Sequence, residues 1–201
     1  MRLCVFCRVG YKKMKLSNYD PNTGKILFVA NIPDEFVYLQ SGVFLEQDSD
    51  PSSQYVDVET LELRAFPLKP SPHHEWDWAT KSWLPNLDAA RESQRQAWNA
   101  WRDRELVAGY PHNGHVFHSD DRFMAELQLI LKGYERGHLT GTSAIRTRDN
   151  STLQMTHAEI ESLLLLIGLH RQAIYAQSWA GKDALASLTT LEDIVAGGPP
   201  A

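Results

Sequence analysis

Only two cysteines, Cys4 and Cys7, occur among the 201 residues. A lone C-x-x-C supplies two of the four ligands of a structural zinc site, and no second pair follows. A redox pair would open a helix after a strand, and Arg8-Val9-Gly10-Tyr11 carries no helix start. The two thiols are read as inert. Long apolar runs are missing as well: no segment approaches the ~20 residues that span a bilayer, and Met1 to Gly10 lacks the apolar core of a secretory signal. Basic charge is scarce, with 20 Lys and Arg against 25 Asp and Glu for a net charge of −5. Basic residues cluster only at Lys12, Lys13 and Lys15, too few for the basic face of a nucleic-acid binder. No P-loop, dinucleotide fingerprint, nucleophile elbow or zinc-protease helix is present. The sequence therefore points to neither enzyme nor cofactor carrier, and a cytoplasmic product is the default expectation.

What is present is the composition of an ordinary folded protein, 43% hydrophobic and 22% charged. The length suits one large domain or two small ones. Met14 precedes Lys15-Leu16-Ser17-Asn18-Tyr19-Asp20, a natural opening for a first strand. This motivates the hypothesis that translation starts at Met14 and that residues 1–13 are a leader; an intact mass that includes Met1–Lys13 would sink it.

Residues 14–84 read as a β module. Asp20-Pro21-Asn22-Thr23-Gly24 is a turn, with Pro fixing φ and Gly supplying positive φ. Lys25 to Asn31 is a strand, followed by a turn around Ile32-Pro33-Asp34-Glu35. Phe36–Leu39 and Val43–Glu46 are strand-length apolar segments. Gln54–Val58 and Leu61–Phe66 alternate across the Glu59-Thr60 turn. Pro67, Pro70 and Pro72 then break the sheet pattern. Trp76-Asp77-Trp78-Ala79-Thr80-Lys81-Ser82-Trp83 is a hairpin with aromatics at each end. Three tryptophans in eight positions fit either a sugar-stacking platform or the hydrophobic filler of a small module, where each ring buries about 150–250 Å². With no polar set placed to chelate or grip a sugar beside them, filler is the preferred reading.

Residues 85–109 read as a connecting amphipathic helix. Asn86 is the N-cap, and Leu87, Ala90, Ala97, Trp98 and Trp101 fall on one side. Gly109 closes it. The stripe either packs on its own chain or, through Trp98 and Trp101, offers an apolar face to a partner.

Residues 110–196 read as a mainly helical domain with short hairpins. Asn113-Gly114 is a strong hairpin signal. His112, His115 and His118 have a spacing that tempts a metal assignment, but a hairpin alternates faces and no second-shell carboxylate is tied to them. Ser119 is the expected cap of the next helix, with Asp120 and Asp121 in its first turn, where the dipole favours anions; capping accounts for that acidic pair without catalysis. The helix buries Phe123, Leu127, Ile130, Leu131 and Tyr134, and Gly133 and Gly137 mark its end. Leu139–Leu153 is a polar hairpin or loop. Thr156-His157-Ala158-Glu159 is a capping box that opens the longest helix, to about Gly181. That helix is apolar on two sides. Ile160, Leu163, Leu164, Ile167 and Ile174 form one face, and Leu165, Leu166, Leu169, Ala173, Ala176 and Ala180 a second. The second face is either wrapped by the same domain or meets another subunit or a client. Thr189-Thr190-Leu191-Glu192 starts a last short helix, and residues 197–201 are a frayed tail.

Three blocks, Asn113-Gly114-His115-Val116-Phe117-His118-Ser119-Asp120-Asp121-Arg122, Thr156-His157-Ala158-Glu159 and Ser187-Leu188-Thr189-Thr190-Leu191-Glu192-Asp193-Ile194, resemble a C-terminal domain of unknown function in bacteriophage tail-fibre assembly and tail-fibre-associated proteins. The order of turn, strand, Tyr-Val-Asp strand, proline spacer and Trp hairpin is similar to the N-terminal module of such proteins. The resemblance implies an α+β fold, a phage tail-fibre protein as partner, a cytoplasmic site of action in the bacterial host, and an assembly-chaperone role. A structural part retained in the virion tail and a small glycan-binding module are the alternatives. It transfers no residue-level chemistry and implies no metal, cofactor, nucleic-acid or membrane partner; a second copy of the chain is an alternative partner. The partner-contact candidates are Trp76, Trp78, Trp83, Trp98, Trp101, Leu165, Leu166 and Leu169.

Overall fold

A computed structural model of the chain describes residues 13–200. Cys4, Cys7 and the rest of residues 1–12, read above as part of a possible leader, lie outside the described residues. The fold is α+β, with strands first and helices after them. The chain divides into two compact units, residues 1–85 and 86–201.

In the first unit, β1 (Lys13–Tyr19), β2 (Ile26–Pro33) and β3 (Phe44–Leu45) form an antiparallel sheet of order β2-β1-β3. Their register runs from Lys13 opposite Pro33 to Asn18 opposite Phe28, then slips so that Tyr19 opposes Ile26. β2 thus runs through Ile32 and Pro33, expected as a turn, because β1 reaches back to Lys13 and supplies ladder partners. Phe36–Leu39, expected as a strand, instead lies in a 3-10 helix, Asp34–Leu39. Two more hairpins follow: β4 (Gln54–Asp57) with β5 (Glu62–Ala65), and β6 (His74–Asp77) with β7 (Ser82–Pro85).

The three hairpins of this unit share one turn. Asp20-Pro21-Asn22-Thr23-Gly24, Asp57-Val58-Glu59-Thr60-Leu61 and Asp77-Trp78-Ala79-Thr80-Lys81 each open on Asp, carry Thr three residues later and end at positive φ. Those last angles are 74° at Gly24, 57° at Leu61 and 53° at Lys81. In each, the Asp carboxylate accepts a loop N–H: from Asn22 at 2.9 Å, from Glu59 at 3.1 Å and from Thr80 at 2.8 Å. Backbone donation from Asn22 and Glu59 holds Asp20 and Asp57 below the usual carboxylate range, and the Thr80 hydroxyl does the same for Asp77. Gly24 is the tight case, because a Cβ there would lie 1.9 Å from the Val56 carbonyl oxygen. The close approach lets the Val56 N–H donate to Gly24 at 2.9 Å. The apolar centre is small: Tyr19, Ile26 and Val56 are its buried members.

The second unit opens with α1 (Leu87–Ala108), capped by Asn86, whose side chain accepts from Ala89 N–H at 2.8 Å. The hairpin β8 (Tyr110–His112) and β9 (His115–Phe117) turns at Asn113 and Gly114, both at positive φ, as an Asn-Gly turn requires. α2 (Asp121–Glu135) is capped by Asp120 rather than Ser119; the Ser119 hydroxyl donates to the Leu106 carbonyl instead. β10 (Thr142–Arg146) and β11 (Thr152–Thr156) pair across the Asp149-Asn150 turn. The capping box at Thr156 and Glu159 opens α3 (His157–Leu185), and α4 (Leu191–Ala196) is capped by Thr190.

The helix read as a connector is part of the second unit's core. Ala90, Trp98 and Trp101 are buried with Ile174, Leu185 and Ile194, so α1 lies against α3 and α4. The rest of the core gathers Phe117, Phe123, Leu127, Ile160, Leu163 and Ile167. α3 passes its expected end at Gly181 because that glycine serves packing: a Cβ there would lie 2.3 Å from the Trp98 ring. The expected frayed tail is anchored at its first residue, since the Trp98 indole N–H donates to Gly197 O at 3.0 Å.

Candidate interaction surface

The aromatic candidates of the first unit pack on one another. Trp76 and Trp83 face each other across the β6–β7 ladder, with ring centres 5.3 Å apart and planes at 72°. Phe66 meets Trp76 edge-on at 4.8 Å, and Trp78 edge-on at 5.9 Å. Trp83 donates its indole N–H to Pro67 O at 2.8 Å. The Lys81 ammonium lies 5.3 Å from the Trp78 ring centre and 5.6 Å from that of Tyr55. These rings are half-buried and join the β4–β5 hairpin to β6–β7, which is the work of a hydrophobic filler.

Trp98 and Trp101 were candidates for a partner surface, and burial corrects that assignment. Both lie inside the second unit, with ring centres 5.4 Å apart in an edge-on pair. α1 turns its aromatic stripe inward because α3 and α4 supply the apolar surface that such a stripe needs.

The leucine candidates lie on α3's outer side. Leu165 and Leu169 keep 64% and 53% of their surface exposed, and Leu166 is half-exposed. Ala173, Ala176 and Ala180 continue the strip, all exposed. One helix thus has two apolar faces and only one of them in the core. The exposed tryptophan of this unit is Trp179, at 57%, not singled out from the sequence. Counting about 100° per residue from Leu165 places Trp179 on the edge of the same strip. It packs beside Tyr175, at 5.7 Å between ring centres, and the Arg102 guanidinium sits 5.7 Å from the Tyr175 ring centre. Tyr175 also walls a cleft of about 460 Å³ with Leu106, Val107 and Arg171. Aromatic and arginine side chains of this kind are the usual anchors of protein interfaces.

The acidic pair Asp120 and Asp121 and the histidines His115 and His118 each have a structural partner. Asp120 accepts from Phe123 N–H at 2.8 Å as the α2 cap, and Asp121 pairs with Arg171, which also donates to Ser119 O. His115 Nδ1 lies 3.8 Å from Asp149 and His118 Nδ1 lies 3.9 Å from Asp120, two separate pairs. Among the described residues no three His, Cys, Asp or Glu side chains converge as metal ligands. No helix there is long and apolar enough to cross a membrane.

Residues 89–196, just over half of the chain, match the family described as a domain of unknown function, DUF4376. The chain belongs to that family, and the match begins inside α1, in keeping with that helix being part of the second unit. No curated protein and no solved structure matches the chain.

Proposed function

We propose that this DUF4376 protein is a phage tail-fibre assembly chaperone: a helper that binds the fibre in the cytoplasm of the bacterial host and promotes its folding and trimerisation. The motif resemblance of the second unit motivates the choice of client. The observation that carries an assembly role is the outer edge of β2, which no described strand of its unit pairs. Ile26–Pro33 holds no charged residue, and Leu27, Phe28, Tyr38 and Leu39 stand exposed in the same unit. Folded proteins normally guard such an edge with charge. A client made of slowly folding β-structure exposes unpaired strands of its own, and an apolar edge is the complementary surface for them. The reading assigns no catalysis, cofactor, nucleic acid or membrane to the chain.

Co-expression with the phage's tail-fibre protein tests this. The expected result is a rise in soluble trimeric fibre that is lost when Leu27→Lys places a charge on β2 at an exposed position; unchanged fibre solubility and trimer yield would remove the proposal. The alternative, a structural component kept in the virion tail, is favoured by α3's exposed strip, which suits a permanent interface. Mass spectrometry of purified particles separates the two, since a retained component appears at fixed ratio to the fibre. The glycan-binding alternative has less support, because Trp76, Trp78 and Trp83 spend their contacts on neighbouring rings.

A further inference from the structure

We infer that the fibre client joins the sheet as an added strand, hydrogen-bonded to the outward backbone groups of Val29 and Asn31 on β2; this rests on the chaperone role and specifies how the client is held. The ladder between β1 and β2 fixes which groups of β2 are left over. The Tyr19 N–H donates to Val43 O at 3.1 Å, on the β3 side of β1. Successive residues of an antiparallel strand present their backbone groups to alternate sides. Ser17 and Lys15 therefore also face β3, while Leu16 and Asn18 face β2. Their partners Ala30 and Phe28 turn their N–H and C=O groups inward to β1. Val29, opposite Ser17, and Asn31, opposite Lys15, turn theirs outward. Among the described residues no backbone hydrogen bond reaches these outward groups and no strand pairs that edge.

Two donors and two acceptors, in two sets about 7 Å apart along the strand, select the form of the partner. An α-helix satisfies its own backbone groups and offers nothing at that repeat. An extended segment offers the same repeat and matches it group for group. The flanks narrow the segment further. Pro33 is the next outward-facing position and has no N–H, so the pairing stops there and the segment is short. Ile26–Pro33 holds no charged residue. Phe28 is 49% exposed and meets Phe44 edge-on at 6.2 Å. An apolar side chain on that face of the added strand would cover the Phe28 ring as a cross-strand neighbour. The client segment is thus extended, free of proline where it pairs, and apolar where it meets Phe28.

The test is amide hydrogen exchange of the full chain, alone and in complex with the co-expressed tail-fibre protein, together with two variants at one position. The Val29 and Asn31 amides should exchange at least about tenfold more slowly in the complex than in the free chain. Ala30, already paired to β1, should be protected in both. Asn31 is exposed, so Asn31→Pro removes an outward N–H and no rung of the β1 ladder. It should weaken fibre binding at least about tenfold, whereas Asn31→Ala, which keeps the N–H, should bind like the parent. A complex in which neither amide gains protection overturns the added strand and leaves the chaperone role standing. So does an Asn31→Pro variant with the parent's circular dichroism spectrum and the parent's affinity. If Asn31→Pro does not fold, exchange in the parent decides alone. A chain that neither binds the fibre nor raises its solubility removes the chaperone role, and the added strand with it.

Discussion

The two units hold themselves together by different means. The first has a three-residue buried centre and relies on turns and ring contacts: three Asp-x-x-Thr hairpins and five interlocked aromatics. The second buries two apolar clusters between helices. Stability in the first is therefore local and tied to exposed carboxylates, whereas in the second it is collective and tied to volume. The second unit can consequently leave one face of its longest helix out of the core without losing that core.

Substitutions should separate these regimes. The largest effect is expected from Trp98→Ala, which removes a buried ring and its bond to Gly197. It should cost about 3–5 kcal/mol and lower the denaturant midpoint of the helical unit while leaving the β unit's midpoint in place. Gly181→Ala comes next, because the added methyl meets the Trp98 ring. Overpacking of this kind costs about 1–3 kcal/mol, readable as a lower melting temperature even though alanine is the better helix former.

Acid should act more on the first unit, where Asp20, Asp50, Asp57 and Asp77 are held low, than on the second, where Asp149 and Glu159 are. The hairpin-turn carboxyls Asp20, Asp57 and Asp77 are held by hydrogen bonds within their turns below the ordinary aspartate value of about 3.9. They contribute stability that is fully present above that value and is lost as pH falls through it toward the folded values. An acid titration of near-ultraviolet circular dichroism should show this loss, and Asp57→Asn with Asp77→Asn should flatten it. The smallest effect is a gain: Leu61 is exposed and sits at φ 57°, so Leu61→Asn should stabilise by up to about 1 kcal/mol. An unchanged or lowered melting temperature would show that Leu61 is unstrained.

Much of this was legible in the sequence because it is written locally. Asn86, Asn113-Gly114 and the Thr156/Glu159 box each act within a few residues, and each turn or cap formed where expected. The hairpin repeat escaped notice because only Gly24 advertises the positive φ that Leu61 and Lys81 also adopt. Periodicity found both apolar faces of α3 but carries no information on which one other helices cover. The same limit hid the fate of Trp98 and Trp101, whose burial depends on α3 and α4, about 80 to 100 residues away, and left Trp179 unremarked on the exposed side. Phe36–Leu39 looked like a strand by composition, yet it follows Pro33, Asp34 and Glu35 and forms a 3-10 turn.

The central claim is that α3 has one apolar face in the core and a second apolar face outside it. Thermal unfolding of Leu163→Asp and Leu169→Asp, compared with the parent, tests it most directly. Leu163 is fully buried and Leu169 is mostly exposed, so Leu163→Asp should unfold the helical unit while Leu169→Asp melts with the parent. Equal loss of stability in both variants would mean that the outer face is part of the core, and would contradict the account.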